Sequence, residues 1–205
     1  MSSEPANREV QDVPTKIVAA LDRIGRGVRS FHQTVAVRLG LSPLQLELLL
    51  LLAAGEPPQP ITGALARELG VRGPTVTDSL NALERKGLVV RSSDVRDGRR
   101  TPFRLTDAGE RLAREADEAD QVMRDAIGRI PSEDALLEGL LSAIDALLGA
   151  GVVDVARTCT SCRFFRTAAD GAACALLQIP LPRSALRVDC PEHEPVAGYS
   201  GTARN

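Results

Sequence analysis

Hydrophobic positions follow a helical spacing along most of this chain and a strand-like spacing in two short runs, and residues 65–109 hold both. Ala66, Leu69, Val76, Leu80 and Leu83 recur at intervals that bury one side of a helix pair. Gly70 breaks the first helix. Pro74 opens the second, where its missing N–H falls among donors that have no intrahelical partner anyway. Gly87 ends that second helix as the residue past its C-cap. Leu88-Val89-Val90-Arg91 and Pro102-Phe103-Arg104-Leu105 read as strands, joined by a loop over 94–100 that holds three arginines and two aspartates. Thr106 is placed to cap the next helix, and Asp107 sets a carboxylate near its positive end. The pattern predicts a mainly α protein with a small β-wing: a helix-turn-helix followed by a two-stranded ribbon.

The same periodicity places long helices on either side. Residues 1–12 have the composition of a disordered tail. Over 15–39, Val18, Leu21, Ile24, Val28, Phe31, Val35 and Leu39 mark an amphipathic helix. Ser42-Pro43 starts a second helix whose leucines are apolar all round, which puts it inside. Residues 55–60 form a Pro-rich turn, after which Thr62 is expected to cap the short helix that opens the helix-turn-helix. One long helix is expected over 107–130, with a stripe at Leu112, Ala116, Met123, Ile127 and Ile130. After the break at Pro131-Ser132 comes a Leu-rich helix that frays at Gly149-Ala150-Gly151. A winged domain does not need that much apolar helix for its own core. The surplus on 18–39 and 136–148 is apolar surface that a second copy could cover; a monomer with a thick helical cap is the alternative. The organisation expected is a tail over 1–12, a winged domain with dimerisation helices over 13–150, and a separate module over 151–205.

Composition narrows the function. The 205 residues are 43% hydrophobic and 25% charged, as in a globular protein, and the net charge of −2 alone argues against a nucleic-acid binder. The charge is uneven. Over residues 61–112 ten bases face seven acids, enough for a local basic patch that tracks phosphates. On the second helix Thr75, Thr77, Asp78 and Asn81 face away from the core, behind Gly73 and Pro74 at its start. Such short hydrogen-bonding side chains can reach base edges in a major groove. Arg96, Arg99 and Arg100 in the wing loop complete a surface for double-stranded DNA. The first twelve residues hold no apolar signal-peptide core and no run is long enough to span a bilayer, so a cytoplasmic protein without a membrane partner is expected, with reduced cysteines.

The order of these residues resembles the MarR family (multiple antibiotic resistance regulators). Its pattern is matched by Leu65-Ala66, Pro74-Thr75-Val76-Thr77, Leu83-Glu84, Gly87-Leu88, Arg91, Asp94, Asp97, Arg99, Leu105-Thr106 and Gly109. Arg72-Gly73 departs from it, since the family often has a Ser or Thr helix cap there. The resemblance spans roughly residues 13–150 and implies a transcriptional regulator, a repressor, bound as a homodimer to a pseudo-palindromic operator. It also implies that Asp97 stabilises the wing while Arg99 enters the minor groove, and that a small-molecule effector binds between the dimer helices and the winged lobe. The alternatives are a winged-helix protein–protein interaction module and a redox- or metal-sensing regulator.

The last stretch stands outside that resemblance. Cys159 and Cys162 form C-x2-C, Cys174 follows after eleven residues and Cys190 after fifteen more, and His193 completes C-x2-H. These spacings bring ligands onto one metal ion. Three readings stay open: a zinc site using Cys159, Cys162 and two of Cys174, Cys190 and His193; an iron–sulfur cluster on the four cysteines, whose spacing resembles that of high-potential iron–sulfur proteins; or unliganded thiols that pair under oxidation. The segment is small and polar, so a metal is the expected source of its order. His32, alone beside Phe31, reads as a partner of a neighbouring polar group. No Gly-rich phosphate loop, zinc-enzyme motif or Ser/His/Asp set is present, and no enzymatic activity is expected.

Overall fold

The first helix, α1, spans Val13–Arg38, and its start is fixed by Asp12, whose carboxylate accepts the Thr15 N–H at 2.9 Å. This computed structural model describes residues 12–92, 101–168 and 171–196. The expectations placed on Arg96, Asp97, Arg99 and Arg100, and on the N-terminal tail up to residue 11, lie outside the described residues. Only Val35 and Ala36, near the end of α1, are buried; Val13, Ile17, Val18 and Ile24 are exposed.

The helix at the centre is α2, Pro43–Ala54. Ser42 and Gln45 form a reciprocal capping box at its start, and Gly55 ends it with φ +74°. Leu46, Leu48 and Leu49 are fully buried, because α2 is covered by α1, by α4 (Gly73–Arg85), by β2 (Phe103–Leu105) and by α5 (Asp107–Ala119). An all-round apolar helix needs such an enclosure. The short helix α3 spans Thr62–Glu68, and here the expectation for Thr62 is corrected. Ile61 holds the cap position with no side-chain bond, and Thr62 is already helical. Gly70, at φ +61°, turns the chain into α4, whose Val76, Leu80 and Leu83 lock into the core.

β1 (Val89–Arg91) pairs antiparallel with β2, Val89 opposite Leu105 and Arg91 opposite Phe103. The Ser92 N–H extends the ladder to the Pro102 carbonyl, while the Phe103 N–H donates to Pro60 and brings the α2–α3 connection alongside. Thr106 caps α5 as expected, accepting the Gly109 N–H at 3.1 Å and donating to the Gly87 carbonyl at 2.7 Å. A Cβ on Gly109 would stand 2.0 Å from the Leu88 carbonyl oxygen, so the strand can cross α5 this closely only over glycine.

The single helix expected over 107–130 is two. α5 ends at Ala119 and α6 spans Gln121–Ile127, with Asp120 capping both. The Asp120 N–H donates to the Asp117 carbonyl, a tightened last turn, and Arg124 reaches the same carbonyl at 2.6 Å. The expected stripe therefore divides: Ala116 is buried, but Ile127 and Ile130 are exposed. His32 explains where Asp120 points, its Nε2 lying 3.2 Å from the carboxylate, in keeping with the polar-partner reading.

α7, Glu133–Gly149, buries Leu141, Asp145 and Leu148, one face at helical spacing. That face meets the C-terminal module: Thr158 Oγ1 donates to Asp145 at 2.7 Å, and the 3-10 turn Arg183–Ala185 packs on the same helix. The module itself is a three-stranded antiparallel sheet of β3 (Phe165–Ala168), β4 (Gly171–Cys174) and β5 (Ile179–Pro180), in that order. Helix and module share a buried face across the expected boundary at 150/151. No single helix among the described residues is long and apolar enough to cross a membrane.

Candidate nucleic-acid interface

The exposed side of α4 follows from its buried side. With Val76, Leu80 and Leu83 committed to the core, Thr75, Thr77 and Asp78 are turned outward. Arg72 holds the cap position without a side-chain bond, and Pro74 lies in the first turn, so the N–H groups there keep no capping side chain. Thr77 Oγ1 donates to the Gly73 carbonyl at 3.1 Å, which orients its methyl and oxygen on the exposed face. Three of the expected base-facing residues thus stand together on one solvent-facing surface.

Asn81 stands apart from these three. It is half-buried, and its amide oxygen accepts from Arg91 Nη2 at 2.8 Å. Arg91 also reaches Glu84 at 3.5 Å and lies over the Phe103 ring, 4.9 Å from its centroid. One side chain on β1 therefore joins α4 to the base of the wing. Spacing along α4 alone could not show this, because the partner comes from the next element. At the other end Lys86 Nζ donates to the Gly40 carbonyl at 2.6 Å and to Gln45 at 2.9 Å, which fixes the end of α4 to the α1–α2 corner. A cleft of about 840 Å³ lies between α2, β2 and α5, lined by Leu50, Leu52, Phe103, Leu105, Arg114 and Asp117 among others.

In the C-terminal module the C-x2-C and C-x2-H spacings each form a tight turn. The Cys162 N–H donates to the Cys159 carbonyl, and the His193 N–H to the Cys190 carbonyl, both at 3.1 Å. Cys159 and Cys162 are buried, Cys174 and Cys190 half-buried, and all four are free thiols. The Arg187 N–H donates to Cys159 Sγ at 3.2 Å. Burial holds the Cys190 thiol above its ordinary range, and burial keeps His193 below its own. His193 Nε2 lies 3.1 Å from Ser161 Oγ, which is 2.8 Å from Thr158 Oγ1 in the Asp145 network. Among the described residues no three His, Cys, Asp or Glu side chains face a common centre at metal-holding distance.

Sequence reasoning missed Arg157. Its side chain is only 13% exposed, yet it meets three carboxylates: Glu68 at the end of α3 at 2.9 Å, Asp189 in a short contact, and Glu56 after α2 at 4.0 Å. Burial first, then the neighbouring Asp189, pushes the Glu56 carboxyl up to about 7. The carboxylates beside Arg157 raise its own affinity for a proton against the opposing effect of burial. The signal in the sequence was an arginine two residues before the first cysteine, whose distant partners no spacing names.

The MarR family model matches residues 39–100. The crystal structure of the transcriptional regulator PA3341 is 31% identical, with a TM-score of 0.55 and 65% of this chain covered against 98% of that one. MepR of S. aureus in its DNA-binding conformation is 22% identical, TM-score 0.57, covering 65% of this chain and 97% of that one; it has also been solved in complex with DNA. CouR from Rhodococcus jostii, solved with p-coumaroyl-CoA bound, is 24% identical, TM-score 0.55, with 67% and 94% covered. The last two show a common fold. The helix-turn-helix, the wing strands, the glycine-forced crossing at Gly109 and the identity to PA3341 over nearly its whole length together place this chain in the MarR family.

Proposed function

We propose that this protein regulates transcription, as a repressor, by binding a pseudo-palindromic site on double-stranded DNA as a homodimer. The observation that carries the reading is the outward face of α4, where Thr75, Thr77 and Asp78 are exposed behind Gly73 and Pro74 on a helix whose other face is locked in the core. A helix anchored in this way can enter a major groove and present short polar groups to base edges. Arg96, Arg99 and Arg100 contact phosphates or the minor groove beside it, with Asp97 stabilising the wing. The DNA complex of MepR supports the same use of the fold. Exposed Val13, Ile17, Val18 and Ile24 on α1, with Val122 and Ile127 on α6, give a second copy the apolar surface that a twofold interface needs. The cleft over α2 and α5 receives a small-molecule effector, as the ligand-bound CouR structure suggests for this fold. The cysteine module holds a soft metal, zinc in the first instance and an iron–sulfur cluster in the second, since thiolates are the donors both prefer.

The test is fluorescence anisotropy on a duplex that the protein itself selects from a random-sequence pool. Arg99→Ala should weaken binding about tenfold, the equivalent of roughly 1.4 kcal/mol, with an unchanged circular dichroism spectrum. Thr75→Ala and Thr77→Ala should cost about 1–3 kcal/mol on the selected duplex and almost nothing on random DNA. Asn81→Ala should weaken both duplexes alike, because Asn81 holds Arg91 and the wing. Failure to enrich any sequence would overturn the reading.

A further inference from the structure

The C-terminal module holds two parts of the fold, α7 and α3, that share little packing of their own. We propose that the module is a strut: it ties α7 to α3 and so fixes the separation at which the two α4 helices of the homodimer meet their half-sites. Arg157 and Thr158 are its positioning residues. The strut rests on the homodimer and DNA-binding readings above and needs no metal.

The two ends of the strut are adjacent residues. Arg157 engages the helix-turn-helix: its guanidinium meets Glu68, the last residue of α3, at 2.9 Å, and Glu56 on the α2–α3 connection at 4.0 Å. Asp189 holds the same guanidinium from within the module. Thr158 engages α7 instead. It is buried, and its hydroxyl donates to Asp145 at 2.7 Å. Arg183 adds a second tie to α7, its Nε donating to Glu138 at 2.7 Å, and the 3-10 turn that it opens packs on the same helix. Consecutive Cα atoms are about 3.8 Å apart across a rigid peptide plane, so the two ties have no slack between them. The module braces both. Arg157 pairs in parallel with Asp189, and Ser161 Oγ lies 2.8 Å from Thr158 Oγ1.

The lobe gives α7 little other support. The chain reaches it through α6, which rests on α5, and among the described elements the 3-10 turn is the one that packs substantially on α7. This arm of α6 and α7 also exposes Val122, Ile127, Ile130 and Leu140, apolar surface for a second copy. The strut therefore runs from a dimer-forming arm to the helix-turn-helix. Charge-assisted and buried hydrogen bonds are geometrically specific, so they set the angle between the arm and α3, and α4 packs on α3. In a twofold dimer that angle occurs twice. It decides whether the two α4 helices stand one DNA turn apart, about 34–36 Å.

The experiment uses the full-length protein and duplexes built from the half-site that it selects, single or paired, with the spacer of the paired site shortened or lengthened by single base pairs. Sedimentation velocity on the same samples gives the dimer content. Wild type should prefer one spacing over its neighbours by at least about fivefold, the lower end of ordinary coupling between sites. Glu68→Ala cuts the tie to α3, and Thr158→Val cuts the tie to α7. Both should bind the single half-site as wild type does yet lose most of the spacing preference. Arg163→Ala, which removes only an exposed ion pair to Glu194, should keep it. Glu68 lies half-buried at a helix end, so Glu68→Ala decides by itself if Thr158→Val does not fold. An unchanged spacing preference in Glu68→Ala, or equal broadening in Arg163→Ala, would overturn the strut. So would single-half-site binding lost in step with the preference, which a merely structural role predicts. A wild type that is monomeric or binds no duplex removes the homodimer or DNA-binding reading and the strut with it, whereas a dimer that binds paired half-sites at every spacing alike removes the strut alone.

Discussion

The winged lobe and the C-terminal module are stabilised by different physics. The lobe closes around α2, and its largest fully buried side chains are leucines and valines: Leu46, Leu48, Leu49, Leu65, Leu80, Leu83, Val76 and Val89. Among the described residues of the module the buried ones are Thr158, Ser161, Cys159 and Cys162, with Leu181 as the main apolar contribution. Apolar burial is non-directional, and each such side chain contributes about 1.5–3 kcal/mol whatever the pH. Buried hydroxyls and carboxylates must instead meet particular partners, and each one left alone is costly. The lobe is thus suited to holding a constant surface. The module and its joint are suited to responding to conditions.

The largest expected effect falls on the joint. Arg157→Ala leaves Glu68 and Asp189 half-buried without their cation, a loss of about 3–5 kcal/mol in the attachment of the module. Hydrogen exchange should then accelerate over the module while α2 and α4 keep their protection. Equal acceleration in α4 would make the two regions one cooperative unit and erase the contrast.

Leu80→Ala probes the other side. Removing a fully buried leucine should destabilise the lobe by about 2–5 kcal/mol in urea denaturation, with the same loss at acid and neutral pH. A loss that varied with pH would mean that the lobe also depends on its charges.

The smallest effect sharpens the comparison through pH. Glu56 keeps its proton in the folded chain up to about 7, against an ordinary value of 4.5. The folded state therefore binds the proton more tightly, and stability falls as pH rises between those two values. Proteolysis between the lobe and module should be slower at about pH 5 than at about pH 8, and Glu56→Gln should flatten that difference. Faster cleavage at the lower pH would reverse the sign and reject the assignment.

What could be read from the chain was local. Gly70, Gly87 and Thr106 sit where expected because a turn or a cap is decided within a few residues. The outward face of α4 was legible because its buried face repeats at helical spacing. The bond from Arg91 to the Asn81 oxygen was not legible, because the donor comes from the next element, ten residues on. Helix 107–130 was drawn whole because the residue meeting Asp120 is His32, from α1.

The sequence by itself determined the helix-turn-helix, the two wing strands, the caps of α2 and α5 and the pair of cysteine turns, since each depends on spacing and backbone preference over a short span. Only the tertiary structure decided that Gly109 must be glycine beneath the Leu88 carbonyl, that α7 gives a face to the module, and that Arg157 joins the module to Glu68, 89 residues away. A charged side chain carries no periodicity that names its partner, so a buried ion pair shows only where the fold has brought distant segments together.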